Sequence, residues 1–360
     1  MSIIYKFRKN KGKDFLQDIR GKKGCFLCSI AHTETSSVPG ISAAGASREL
    51  IKYTPAADVE AIYYGRAKCL PAVPENPKGP PSPVIISIAS LQILNIPFLA
   101  INVGVKVKPF APLVEINDVP GGMIDSGDAL FALDFTAIKE KCEILASELS
   151  KCFDYIVLGE SVPGGTTTAM ALINGLGYNS FNKICGSMPG NQHKLKIQLV
   201  KKALEHLLPQ DSPLDIVRKV GDPMQPAQAV LASELSKKGV KVLLAGGTQM
   251  VAVAALIKHI DLSAVKSGNL AIATTKWVSE DKDSDIKGLM EEIGLDIPLM
   301  SSNLDFSVSK YENLQLYEQG FVKEGVGAGA LAVSVFNEKN ISNEEFLLKI
   351  ESIYEKIYQK

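Results

Sequence analysis

The sequence predicts an α/β protein with a Rossmann-like, mostly parallel sheet, helices on both of its faces, and a smaller part built from the N- and C-terminal segments. Three observations carry that expectation. From residue 84 onward, apolar runs of strand length alternate with helical stretches, the signature of βα repetition. Two of those runs, Tyr155–Leu158 and Val240–Leu244, lead into a glycine pair, a threonine and an apolar helix. Finally, 360 residues that are 46% hydrophobic and 22% charged suffice to bury a large core.

Each element follows in chain order. The first 24 residues are basic (Lys6, Arg8, Lys9, Lys11, Lys13, Arg20, Lys22, Lys23), are broken by Asp14 and Asp18, and lack a signal-peptide apolar core; they read as a solvated helix. Gly24–Ile30 reads as a buried strand. It contains Cys25 and Cys28, a CxxC pair with His32 beyond it, but a fourth zinc ligand is missing. Pro39–Gly45 is a loop of small residues. Pro71 to Pro83 is the sharpest composition shift, read as a linker or surface loop. It divides the chain into an N-terminal segment (1–80), a Rossmann-like domain (81–335) and a C-terminal helix (336–360).

Beyond the linker, a helix through Leu91 precedes a strand over Phe98–Val103. Thr136 is expected to cap a helix carrying Ile138, Cys142, Leu145 and Leu149 on one face. The Tyr155 strand turns at Gly164 and Gly165, and Thr166, Thr167 and Thr168 open the next helix. Ile184–Gly190 reads as another strand end and glycine turn, entering a helix over Lys194–Leu208. Asp222–Pro226 is a turn before a helix over Ala227–Lys237. The strand Val240–Leu244 then ends in Gly246, Gly247 and Thr248, and a further strand covers Leu270–Thr274. Phe321–Ala330 is a second glycine-rich segment, bearing Glu324. Ser342 and Glu345 form a capping box for a last helix with Phe346, Ile350, Ile353 and Ile357 on one face. That face is expected to pack on the N-terminal segment or on a second subunit.

Composition narrows the partners. Lysine plus arginine equals aspartate plus glutamate, 39 each, so no overall field recruits nucleic acid or an anionic membrane. No window offers the roughly 18 apolar residues of a membrane span. The six cysteines lie mostly in apolar runs, as reduced core thiols do, and a cytoplasmic location is expected. The Tyr155 loop lacks the lysine of a nucleoside-triphosphate loop and the spacing of a dinucleotide fingerprint, and no GxSxG elbow is present. Neither a cofactor nor a metal is expected.

Parallel sheets bind ligands at their carboxyl edge, where the turns at Gly164, Gly186 with Ser187, and Gly246 fall. Free N–H groups, helix dipoles and threonine hydroxyls there suit a phosphate or carboxylate. Lys196 either neutralises such an anion or forms the solvated face of its helix. Glu160 and Glu324 each sit among glycines. A carboxylate in a tight, dry loop has a raised pKa and serves as a general base, or it is simply bonded to neighbouring N–H groups.

Taken together, GISAAGAS (40–47), TPAADVE (54–60), NVGV (102–105), LGESVPGGTTTA (158–169), VGDPMQPA (220–227), VLLAGGTQM (242–250), ATTKWV (273–278) and EGVGAGA (324–330) resemble the nicotinate-nucleotide:dimethylbenzimidazole phosphoribosyltransferase family. The closest likeness is to its divergent archaeal and cyanobacterial branch. The resemblance implies transfer of phosphoribose from nicotinate mononucleotide to an aromatic base such as dimethylbenzimidazole, with release of nicotinate, in cobamide lower-ligand synthesis. By that resemblance Glu324 is the catalytic base, and Glu160, Gly164, Gly165, Thr166 and Thr167 form the substrate loop. Gly246, Gly247 and Thr248 form a second binding turn, Lys196 is the substrate-contacting lysine, and a homodimer is expected. The chain departs from the family at Val162–Gly165 and at Ala245–Gly247, which leaves the acceptor base open. Two alternatives stand beside the transferase: a non-catalytic nucleotide sensor and a hydrolase of the same glycosidic bond.

Overall fold

The computed structural model describes residues 2–42, 44, 45, 47–70 and 79–358. Residues 71–78 of the proline-rich stretch, Ala43 of the small-residue loop and Ala46 just after it lie outside the described residues.

The apolar runs become the strands of one sheet: β1 (Ile3–Phe7), β2 (Gly24–Ile30), β3 (Phe98–Asn102), β4 (Leu113–Glu115), β5 (Tyr155–Ser161), β6 (Lys241–Ala245), β7 (Leu270–Thr275) and β8 (Leu299–Ser302). Their order is β1-β8-β7-β6-β5-β2-β3-β4. All neighbours are parallel except β1, which runs antiparallel to β8 at the edge. The expected α/β architecture is therefore present. Every residue of β2 and β5 is buried, as central parallel strands require, and their pleat divides the side chains between two cores. Cys25, Leu27, Ile156 and Leu158 enter one core; Phe26, Cys28, Tyr155 and Val157 enter the other. Cys25 and Cys28 thus point to opposite faces of the sheet and do not share a ligand.

Helices Phe135–Ser150, Gly165–Gly175, Met224–Lys237 and Thr248–Ile260 cover the first face; Lys9–Ile19, Val84–Leu94, Ala328–Glu338 and Asn343–Tyr358 cover the second. Where chain order reverses, between β2 and β5, the sheet has its switch point. Connections from β2 run outward one way and those from β5 the other, opening a crevice at the carboxyl ends of the strands.

Several local expectations are corrected. The basic N-terminus is not helix alone: Ile3–Phe7 forms β1, and the helix that follows buries Phe15, Leu16 and Ile19. Asp134, not Thr136, caps the helix Phe135–Ser150, its carboxylate accepting from the N–H groups of Thr136 and Ala137 at 3.0 and 3.1 Å. Ile184–Gly186 is not a strand. Side chains take up its backbone donors instead, Cys185 N–H bonding Thr248 Oγ1 and Gly186 N–H bonding Asn191 Oδ1. The Ser342–Glu345 capping box forms, with reciprocal bonds of 2.8 and 3.1 Å. The helix behind it packs chiefly on Val84–Leu94. β2, which precedes residue 80, lies in the same sheet as the later strands, between β5 and β3.

Candidate functional site

β5, β6 and β7 each end at the crevice, and the chain must leave each strand sharply to start a helix there. Gly164 makes the first such turn in a left-handed conformation (φ 81°) that a side chain disfavours. Gly165 follows because Gln249 packs against it, so closely that a Cβ would lie 2.0 Å from Gln249 Oε1. Gly247 caps the helix Thr248–Ile260, and Gly327 (φ 74°) caps Ala328–Glu338. The N-termini of Gly165–Gly175 and Thr248–Ile260 therefore line one opening, each offering a positive dipole end, while that of Ala328–Glu338 donates to Glu324.

The opening leads to a cavity of about 240 Å³. Of the residues singled out in the sequence, Glu160, Gly164, Gly165, Thr166, Gly186, Ser187, Gly247, Thr248 and Glu324 line it. Thr167 is buried beside it, Gly246 lies one residue behind Gly247, and Lys196 stands behind the wall. The Lys196 side chain is buried; its ammonium donates to Thr166 Oγ1 at 3.0 Å and abuts Gly186, where a Cβ would lie 2.5 Å away. Burial lowers its pKa to about 8. This lysine is not the solvated face of its helix.

Glu324 is the best-held group in the cavity. Its Oε2 accepts from Thr274 Oγ1 and Thr275 N–H, both at 2.9 Å, and its Oε1 accepts from Gly325 N–H at 3.1 Å and Gly329 N–H at 3.0 Å. Burial raises its pKa and these four donors oppose the rise. The close fit depends on Gly329, where a Cβ would lie 2.0 Å from the Thr274 carbonyl carbon and 2.5 Å from Glu324 Oε2. The approach to Glu324 is strained. Val322 and Lys323 both have left-handed φ (62° and 57°), and each centres a three-residue turn closed by a 2.7 Å bond, Lys323 N–H to Phe321 O and Glu324 N–H to Val322 O.

Glu160, at the end of β5, is less well supplied. Val162 N–H donates to its Oε2 at 2.8 Å and Gln249 adds a side-chain bond. Burial, with Asp222 and Glu324 nearby, pushes it up to about 8. At neutral pH Glu160 thus holds its proton, whereas at Glu324 a cradle of four donors opposes the upward push of burial. Asp222, unexplained in the sequence, is buried behind Glu160. It accepts from Thr168 Oγ1 and from Met224 N–H (3.0 Å), tying the Gly165–Gly175 helix to the turn before Met224–Lys237.

Sequence reasoning missed a second polar group. Lys323 Nζ bonds Asp281 Oδ2 and Asn191 Oδ1, each at 2.8 Å, and Asn191 Nδ2 returns to Asp281 at 2.9 Å. This buried cluster joins the Glu324 turn to the Gly186 turn. It was invisible because its members lie 42 to 132 residues apart. Asp58 was missed as well. It is a carboxylate in the apolar helix Thr54–Tyr64, and that misplacement of charge is the signal that would have found it.

Residues 93–266 match the phosphoribosyltransferase family model. A UPF0284 protein of Sulfurisphaera tokodaii is 41% identical over 338 residues, 93% of this chain and 94% of its own. Another, from Sulfolobus acidocaldarius, is 42% identical over 349 residues, covering 96% and 99%. Among solved structures, CobT from Thermus thermophilus superposes with a TM-score of 0.60 at 16% identity, over 88% of this chain and 83% of that one. A nicotinate-nucleotide-dimethylbenzimidazole phosphoribosyltransferase from the same organism gives 0.59 at 18%, over 89% and 86%. At such identities the likeness to these two structures is one of fold.

Proposed function

Because the chain belongs to the UPF0284 family and carries a phosphoribosyltransferase segment over residues 93–266, we propose that it moves phosphoribose from nicotinate mononucleotide to an aromatic base and releases nicotinate. The observation that carries this reading is the pairing, in one cavity, of a glutamate held by four donors with glycine turns backed by a buried lysine. The cation among the described lining, Lys323, is already paired with Asp281, which leaves Glu324 to meet the ligand. Such a carboxylate suits an acceptor whose ring becomes cationic as it attacks.

The chemistry then needs no metal and no general acid. The C1'–N bond of the donor breaks with its electron pair going to the pyridine nitrogen, which leaves neutral. The acceptor's imidazole nitrogen forms the new bond to C1' and becomes cationic. Its other ring N–H passes its proton to Glu324, a step typically worth about 10²- to 10⁴-fold in rate. Glu324 enters with both oxygens doubly engaged. The Thr274 hydroxyl is the one donor of the four that can rotate away, so it yields its place to the acceptor N–H. The phosphate sits at the turns of Gly164–Thr167, Gly186–Ser187 and Gly246–Thr248, with Lys196 behind them, and fixes C1' for in-line attack. Inversion at C1' gives the α-ribotide.

The test is product analysis. Nicotinate mononucleotide is incubated with dimethylbenzimidazole, with adenine, with phenol and with no base, and the products are identified by mass spectrometry. The transferase gives nicotinate and a ribotide only when an acceptor is present. Ribose phosphate formed without a base marks a hydrolase, and binding without any release marks a sensor; either result overturns the proposal.

A further inference from the structure

The cavity wall around Asp58 is built differently from the wall around the glycine turns. Its neighbours are Ala57 on the same helix and Pro81, Pro83 and Val84 on either side of Ser82, all of which line the cavity. A buried carboxylate in so apolar a surface requires donors. Two are present: Ser82 Oγ donates to Asp58 Oδ1 at 2.8 Å, and Ser161 Oγ, one residue beyond Glu160, donates to Oδ2 at 2.7 Å. Together they fix the carboxylate plane between the helix Thr54–Tyr64, the end of β5 and the segment entering Val84–Leu94. Burial pushes Asp58 up to about 6, so it is an anion at neutral pH. An ionised carboxylate accepts about four hydrogen bonds, and two places are left for a ligand in the cavity.

If the transferase reading holds, one of two aromatic rings meets this wall. The nicotinate ring carries its own carboxylate, which the Asp58 anion repels across an apolar surface of low dielectric. The ring beside Asp58 is therefore the acceptor. Benzimidazoles and purines share the imidazole half that attacks C1' and gives its proton to Glu324; they differ in the six-membered ring. Methyl groups there leave Asp58 desolvated and unpaired, whereas an amino group supplies the missing donor and lies beside a negative charge as the acceptor becomes cationic.

We infer that Asp58 selects the acceptor, favouring a fused imidazole base with a hydrogen-bond donor on its six-membered ring over one with methyl groups there. Aminopurines are that class. A site built to hydrogen-bond its substrate rejects an analogue lacking the donor far more strongly than an apolar pocket rejects a change in size.

The experiment compares kcat/KM for adenine and for 5,6-dimethylbenzimidazole, with nicotinate mononucleotide as donor, in the wild-type protein and in Asp58→Val. The wild type is expected to favour adenine by at least about 100-fold. In Asp58→Val that ratio should fall to within about tenfold or invert, while KM for nicotinate mononucleotide stays within about threefold. A loss through misfolding would instead depress both acceptors equally. Equal or better use of dimethylbenzimidazole by the wild type overturns the inference even if the variant does not fold, and so does an unchanged ratio in a folded variant. Absence of nicotinate release with every base would instead refute the transferase reading on which it rests, and the inference with it.

Discussion

At the scale of single residues, two glutamates in one cavity have different supplies of hydrogen bonds. Glu324 has four donors, one of them a hydroxyl that rotates. Thr274→Val removes that donor and with it about 1.5 to 3 kcal/mol of preference for the anion. A donor to the charged form lowers the pKa, so its loss raises it. The rising limb of the pH profile of kcat/KM should therefore move to higher pH, and an unmoved limb would separate Glu324 from the base role. Glu160 makes the opposite case. Its proton is held in the fold up to about pH 8 but is lost from the unfolded chain near the ordinary value of 4.5. Between those values the unfolded state binds fewer protons, so this group's contribution to stability is complete below about 4.5 and drains away as pH rises through about 8. Glu160→Gln cannot ionise. Its melting temperature, relative to wild type, should climb steadily from pH 5 to pH 8.5; a constant difference would contradict the assignment.

At the scale of elements, the glutamate is only as well placed as the turns that carry it. The helix Ala328–Glu338 approaches the end of β7 so closely that only glycine fits at 329. Gly329→Ala must push the two apart, at a cost of about 1 to 3 kcal/mol typical of overpacking. Differential scanning calorimetry should show that loss, together with a fall in activity larger than any change in nicotinate mononucleotide binding. The left-handed turns at Val322 and Lys323 persist because the buried Lys323–Asp281 pair holds them across to Asn191. Lys323→Met leaves Asp281 buried and unpaired and should destabilise by on the order of 3 kcal/mol. Adding Asp281→Leu should recover much of it, since the pair is then replaced by apolar groups. If the double variant is as unstable as the sum of the two singles, the pair is not the element that holds the turn.

At the scale of the whole molecule, the sheet was legible wherever a strand is long, apolar and central. Gly24–Ile30 and Tyr155 onward are of that kind, and the strands and the glycine turns behind β5 and β6 lie where the periodicity places them. What escaped were the short strands at or next to the sheet's edges, β1, β4 and β8 of three to five residues, whose identity comes from pairing across as many as 299 positions rather than from their own sequence. The same physics governs the site. Glu160, Glu324 and the glycines were visible because local backbone demands mark them. Asn191, Asp281 and Lys323 were not, because each becomes special only when distant segments meet it. The central claim is that this meeting place is a transferase centre with Glu324 as its base. The most direct measurement is the single-turnover rate of nicotinate release from nicotinate mononucleotide, with and without an acceptor base, in wild type and in Glu324→Gln. The account predicts release that depends on the acceptor and falls about 10²- to 10⁴-fold in the variant, with nicotinate mononucleotide still bound. Release that ignores the acceptor, or that survives in Glu324→Gln, would contradict it.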